Sequence, residues 1–246
     1  MELTKPLSSS RAKKKGLSSS LRASVIDGCF YTMMVGFGES FFGAYVVALQ
    51  ASHFVIGLIG SLPQTMGSLT QLLSIQAVRF FKSRKRMVST LVLFQAFFYI
   101  PITLGMLLPR SYGIALILLS VTLYFTLGMI VVPAWIEWMG YLVPEKLRGR
   151  YYGIRNSITG FFSLFSFLIG GLILQFMDQQ NLVWFGYGIL FGLAFVSRLF
   201  SYWYLLQVDD AKAPPPPPLL SASSQHRRIL KNLPKSPFFG YLMSVS

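Results

Sequence analysis

Apolar residues run along this chain in long unbroken stretches, with polar residues gathered in short blocks between them. Six such stretches stand out, at about 24–49, 54–78, 88–108, 113–139, 155–177 and 182–206. Each supplies the roughly 20 residues a helix needs to cross the hydrocarbon core of a bilayer. The stretches are continuous and not alternating. They predict helices and not the strands of a barrel, since in lipid a helix satisfies its backbone amides within its own segment. The connections at 51–53, 109–112 and 178–181 are so short that consecutive helices must lie adjacent and antiparallel. The predicted fold is an all-α integral membrane bundle of six transmembrane helices.

Charge orients the bundle. Of the 22 lysines and arginines, 20 fall in four blocks: before the first stretch, after the second, after the fourth and after the sixth. The opposite connections hold only Arg110, and Arg198 lies inside the sixth stretch. The positive-inside rule then puts both termini in the cytoplasm, for a multi-pass protein of the cell (cytoplasmic or inner) membrane. With 53% hydrophobic and 12% charged residues, the chain lies far from soluble proteins, of which about a quarter is charged. The net charge of +14 is spread over juxtamembrane loops, so membrane lipid, and not nucleic acid, is the expected partner. Cys29 is the lone cysteine, which excludes an internal disulfide, and His53 and His226 are too far apart to pair on a metal. No metal-ligand cluster, Gly-x-Ser-x-Gly elbow or phosphate loop is present. The chain therefore reads as a non-enzyme that needs no cofactor.

The organisation is uneven. Residues 1–23 are basic and serine-rich, as expected of a cytoplasmic tail. Residues 24–206 form the bundle, and 207–237 read as a linker whose prolines at 214–218 favour an extended form. Residues 238–246 turn apolar again and read as the start of a seventh helix. Within the bundle, 24–108 and 113–206 each hold three spans. An odd number of crossings gives the second trio the opposite orientation, the 3+3 inverted-repeat plan of many secondary transporters.

The loop after the fourth stretch reads Pro144-Glu145-Lys146-Leu147-Arg148-Gly149-Arg150-Tyr151-Tyr152-Gly153. The loop after the second keeps Arg79 and Ser83-Arg84-Lys85-Arg86. In these two loops, and in its six spans followed by a linker, the chain resembles the N-terminal half of the major facilitator superfamily. The resemblance implies secondary transport of a small solute by alternating access, with a second half or a homodimer completing the site. It also implies a cytoplasmic gate around Glu137, Arg148, Gly149, Arg150, Gly153 and Arg155, with Arg84 and Lys85 as the basic residues of the family's other loop motif. A non-transporting scaffold, receptor or truncated fragment is the alternative.

Several polar residues sit where lipid makes them costly. Glu39 falls near mid-membrane on a face shared with Gly36, Ser40 and Gly43, either as a proton- or substrate-binding acid or as a hydrogen-bonded structural one. Arg198 either snorkels to headgroups or holds an anion or an acid inside the bundle. Asp27 lies close enough to the first helix's start to be solvated at the headgroups. Glu137, between Trp135 and Trp138, is expected to pair with Arg148, Arg150 or Arg155, as a latch or an ordinary interfacial pair. Ser61, Gln64, Thr65, Ser68 and Gln71 line one face of the second helix. Asn156, Thr159, Gly160, Ser163, Ser166 and Gly170 do so on the fifth. These stripes either join helices by hydrogen bonds or line an aqueous path.

Overall fold

The computed structural model describes residues 7–210, with side chains from Gly16 onward. The chain divides after Ala213, and all described residues fall in the first unit. The prolines at 214–218 and the seventh-helix start at 238–246 lie outside them.

Among the described residues there are nine α-helices and no strand. They are α1 (Leu7–Phe37), α2 (Phe42–Ala48), α3 (His53–Thr70), α4 (Ser74–Phe81), α5 (Arg84–Phe97), α6 (Tyr99–Leu104), α7 (Arg110–Leu142), α8 (Arg148–Gln179) and α9 (Val183–Gln207). Short 3-10 turns join α1 to α2 at Glu39–Phe41 and α3 to α4 at Gln71–Leu73, and α6 continues into a third at Gly105–Leu107. The nine helices thus stack into six rods. Four rods are long and apolar enough to cross a membrane: Arg84–Leu107, Arg110–Leu142, Glu145–Gln179 and Val183–Gln207. The first two carry Asp27, Glu39 and the polar stripe on α3, and both are interrupted by 3-10 turns.

Local chemistry explains where the rods stop and bend. Ser52 and Ser83 accept hydrogen bonds from the amides of Val55 and Arg86 at 3.4 and 3.2 Å, capping α3 and α5. Gln50, Lys82 and Asn181 adopt φ of 55°, 56° and 58° where rods end and the chain reverses. The step between α5 and α6 falls at Phe98, three residues before Pro101, whose ring has no amide to return to Phe97. Helix α1 starts at Leu7, well before the expected boundary at 24, and Ser20, Ala23 and Ser24 are already buried.

Rod one packs chiefly on α8 and α9, α3 on α7, and α5 on both α7 and α9. One apolar core gathers Met34, Phe42, Tyr45, Tyr99, Tyr124 and Phe191, with Tyr45 and Phe191 edge-on at 4.9 Å. A second, toward the basic loops, gathers Met87, Val88, Val92, Trp138, Met139 and Leu205. At this end the chain leaving α9 is clasped. Trp138 Nε1 donates to the Asp209 carbonyl at 3.0 Å, and Ser20 Oγ donates to the Asp209 carboxylate at 2.8 Å. Ser83 Oγ donates to Asp210 at 2.9 Å.

The break in rod one depends on Gly38. A Cβ there would stand 2.2 Å from Tyr99 Oη, so only glycine lets the ring lie across the backbone where the helix tightens. Gly38→Ala is expected to cost about 1–3 kcal/mol through this overpacking. The check is a lower thermal midpoint in detergent.

Candidate functional site

A cavity of about 300 Å³ opens inside the bundle, and two acids and two arginines line it: Asp27, Glu39, Arg155 and Arg198. They come from rods one, five and six. Gln64 of α3, Gln95 of α5 and Trp135 of α7 complete its polar and aromatic wall.

Two sets of hydrogen bonds, one reaching the Tyr124 backbone and one starting at its hydroxyl, tie the two acids together through Tyr124. Ser201 Oγ donates to Asp27 Oδ1 at 2.6 Å, and Arg198 Nη1 donates to the same hydroxyl at 3.3 Å. Arg198 Nη2 also donates to Gln95 Oε1. That fixes the Gln95 amide, whose Nε2 donates to the Tyr124 carbonyl at 3.3 Å. The Tyr124 hydroxyl lies 2.6 Å from Glu39 Oε1 and 2.6 Å from Met34 Sδ. A phenol has one proton, and a carboxylate is a far better acceptor than a thioether, so Tyr124 donates to Glu39. Tyr99, 3.3 Å from Tyr124 Oη and 2.9 Å from Met34 Sδ, stands behind it as the next hydroxyl. Four rods therefore hold one another through a buried polar network. Networks of this kind are costly when only part of their valence is met.

Both arginines of the cavity lie over aromatic faces. Arg198 is 4% exposed, and its guanidinium carbon sits 4.9 Å from the Tyr31 ring centre. Arg155 is 4.5 Å from the Trp135 ring centre and donates from Nε to the Ser24 carbonyl at 3.4 Å. Gly28 makes this pose possible, since a Cβ there would be 2.6 Å from Arg155 Nη2.

A separate ion pair closes the basic end. Arg84 and Glu137 meet through two bonds, Nε to Oε2 at 2.9 Å and Nη2 to Oε1 at 2.6 Å. Tyr141 lies 5.7 Å from the guanidinium. Arg84 is 7% exposed and the Glu137 side chain 44%. Glu137 was expected to pair with Arg148, Arg150 or Arg155 and instead pairs with Arg84, because each of the others is directed elsewhere. Arg148 caps the end of α7, donating to the carbonyls of Gly140 at 2.6 Å and Val143 at 3.3 Å, with Glu145 at 3.8 Å. Arg155 turns into the cavity. Gly149, Arg150 and Gly153 are exposed, and Lys85 is half-buried.

The remaining candidates divide. Glu39, Gln64 and Arg198 line the cavity. Arg198 points inward and does not snorkel. Gln71 Nε2 reaches Met129 Sδ at 3.4 Å. Ser68 is exposed and donates to its own helix, to the Gln64 carbonyl at 2.8 Å. Asn156 is exposed on α8 and is not among the cavity residues. Of its stripe, Thr159, Ser166 and Gly170 are the members buried in the bundle. The acid expected at the headgroups, Asp27, is 4% exposed, because α1 begins at Leu7, about 20 residues before it, and Asp27 lies well inside the helix and not at its start. Gln95, Tyr124 and Ser201 were not anticipated. Of these, Gln95 had a signal, being the lone amide in the third apolar stretch.

No curated protein and no solved structure matches the chain. A family model described as Major Facilitator Superfamily matches residues 28–246, nearly the whole length, and takes in every residue of the cavity except Asp27. The chain therefore belongs to the major facilitator superfamily, whose members are membrane transporters and not enzymes.

Proposed function

We propose that this bundle is the N-terminal half of a secondary transporter that moves a small solute by alternating access. The observation that carries the reading is the cavity with two acids and two arginines inside an otherwise apolar bundle. Charges at such depth are costly and mark pathways and relays. All six rods cross the inner membrane, with both termini cytoplasmic. The Arg84–Glu137 pair then stands at the cytoplasmic rim.

Packing supports a 3+3 inverted repeat. Exchanging rods one, two and three for four, five and six carries the rod one to rod five interface onto rod four to rod two. It likewise carries the rod one to rod six interface onto rod four to rod three. Both members of each exchanged pair are among the main interfaces of the bundle. The exposed polar face of α3, with Ser61, Gln64, Thr65 and Ser68, supports a second half. Such a face is disfavoured against lipid and favoured against water or protein. A second six-helix half or a homodimer would supply it.

Single cysteines test the reading in a Cys29→Ser background. Thr32→Cys, in the cavity wall, is expected to react with a membrane-impermeant thiol reagent added from either side of oriented vesicles. Leu168→Cys, on the exposed apolar face of α8, is expected to stay unreacted. Labelling of Thr32→Cys from neither side would mean a dry scaffold.

A further inference from the structure

We infer that the cavity binds an organic anion, a carboxylate on an apolar or aromatic body, with Arg198 as its principal cation and Arg155 as the second. This names the substrate class of the proposed transporter and rests on that reading for its meaning, though not for its measurement.

Both acids of the cavity accept from neutral hydroxyls, Asp27 from Ser201 and Glu39 from Tyr124, each at 2.6 Å. Among the described residues, no carboxylate lies within ion-pair distance of Arg198 or Arg155. Arg84 shows the contrast, since it binds its carboxylate through two bonds. The direct hydrogen-bond partners of the cavity's cations are thus neutral, the acids acting on them only from beyond ion-pair distance, and Arg198 is not fully satisfied. It is 96% buried, its Nε has no hydrogen-bond partner, and its two other nitrogens are held by Ser201 and Gln95. A buried guanidinium with an unmet donor is costly, and since its Nε is sealed from the cavity, an entering anion meets Arg198 at its η nitrogens, whose present partners are neutral.

The surroundings favour an organic acceptor over a hydrated inorganic one. Tyr31 and Trp135 cover the guanidiniums and keep water from one face of each, which strengthens a charge-assisted bond to a carboxylate. The rest of the lining includes Val88, Val92, Phe125, Met129 and Leu205, a surface for a hydrocarbon or a ring. Each acid accepts one such bond and keeps a second oxygen, so a cation is the competing occupant and benzylamine is the probe that tests it. Charge counting adds a further point. Two ionised acids and two arginines sum to zero, so an anion entering alone would leave the cavity negative. A proton carried with it would restore balance.

The test uses the full chain in phosphatidylcholine nanodiscs, so that no anionic headgroup competes. Benzoate is titrated beside its neutral isostere benzamide, the cation benzylamine and inorganic phosphate, with binding read from tryptophan emission and the thermal midpoint. Benzoate is expected to raise the midpoint and alter the emission, with the emission change absent in Trp135→Phe. Benzamide, benzylamine and phosphate should bind about ten- to a hundredfold more weakly, the scale of one charge-assisted hydrogen bond. Arg198→Gln should lose benzoate affinity by a similar factor and Arg198→Lys by less. Equal binding of benzamide, a preference for benzylamine or phosphate, no response to benzoate, or unchanged affinity in Arg198→Gln would each overturn the inference. If Arg198→Gln does not fold, Arg155→Gln and the comparison of probes on the unaltered chain decide. The two readings separate cleanly: benzoate binding without two-sided cysteine labelling removes transport and keeps the anion site. Two-sided labelling without benzoate binding removes the anion site alone.

Discussion

Glu39→Gln is expected to abolish proton coupling while leaving the bundle folded. The substitution is nearly isosteric, and the new amide oxygen still accepts from Tyr124, so the joint between α1 and α2 keeps its shape. What disappears is a protonatable oxygen inside a cavity whose other acid, Asp27, is tied to Ser201. Infrared titration should show a buried carboxyl band in the unaltered chain that is missing in the variant. The rate of Thr32→Cys labelling should vary with pH by about tenfold or more when Glu39 is present, equivalent to ~1.4 kcal/mol of bias between states. It should be flat in Glu39→Gln. A pH response that survives the substitution would move the coupling site to Asp27. Tyr124→Phe, which removes the donor but keeps the acid, should retain the response with a shifted midpoint.

Breaking the Arg84–Glu137 pair is expected to bias the bundle toward the state open at the basic end. The pair bridges rods three and four, and no other ion pair joins two rods among the described residues. Its doubled bond and the burial of Arg84 raise it above an ordinary surface pair. The 44% exposure of Glu137 lowers it again, so about 1 kcal/mol is a fair scale. Glu137→Gln should therefore quicken Thr32→Cys labelling from the basic side about fivefold, with labelling from the far side slowed. The exchange Arg84→Glu with Glu137→Arg should restore most of the original balance. Unchanged labelling in Glu137→Gln would reduce the pair to an interfacial contact without gating weight.

Much of this fold is written in hydropathy. The four strongest rods follow from continuous apolar stretches, and the charges inside such stretches identified Glu39 and Arg198 without any knowledge of their neighbours. The failures have a common cause. Periodicity says which residues share a helix face but not which neighbour that face meets. The polar stripe of α8 is real, yet its buried members are Thr159, Ser166 and Gly170, while Asn156 turns outward. Glu137 was assigned to arginines nearby in sequence, but its partner is 53 residues away. Asp27 lies deeper than hydropathy places it, because helix α1 begins well before hydrophobicity does. Tyr124 gave no signal at all, being aromatic enough to pass as core. Its importance lies in one hydroxyl whose direction only the packed structure reveals.

The clasp on Asp209 has a mechanical meaning. A pull along the chain past Asp210 would be felt by Trp138 of α7, Ser20 of α1 and Ser83 beside α5 as well as by α9. Tension from outside the bundle therefore reaches the tips of four rods together. Whatever binds or tugs on the residues beyond has a handle on the same rim that Arg84 and Glu137 bridge.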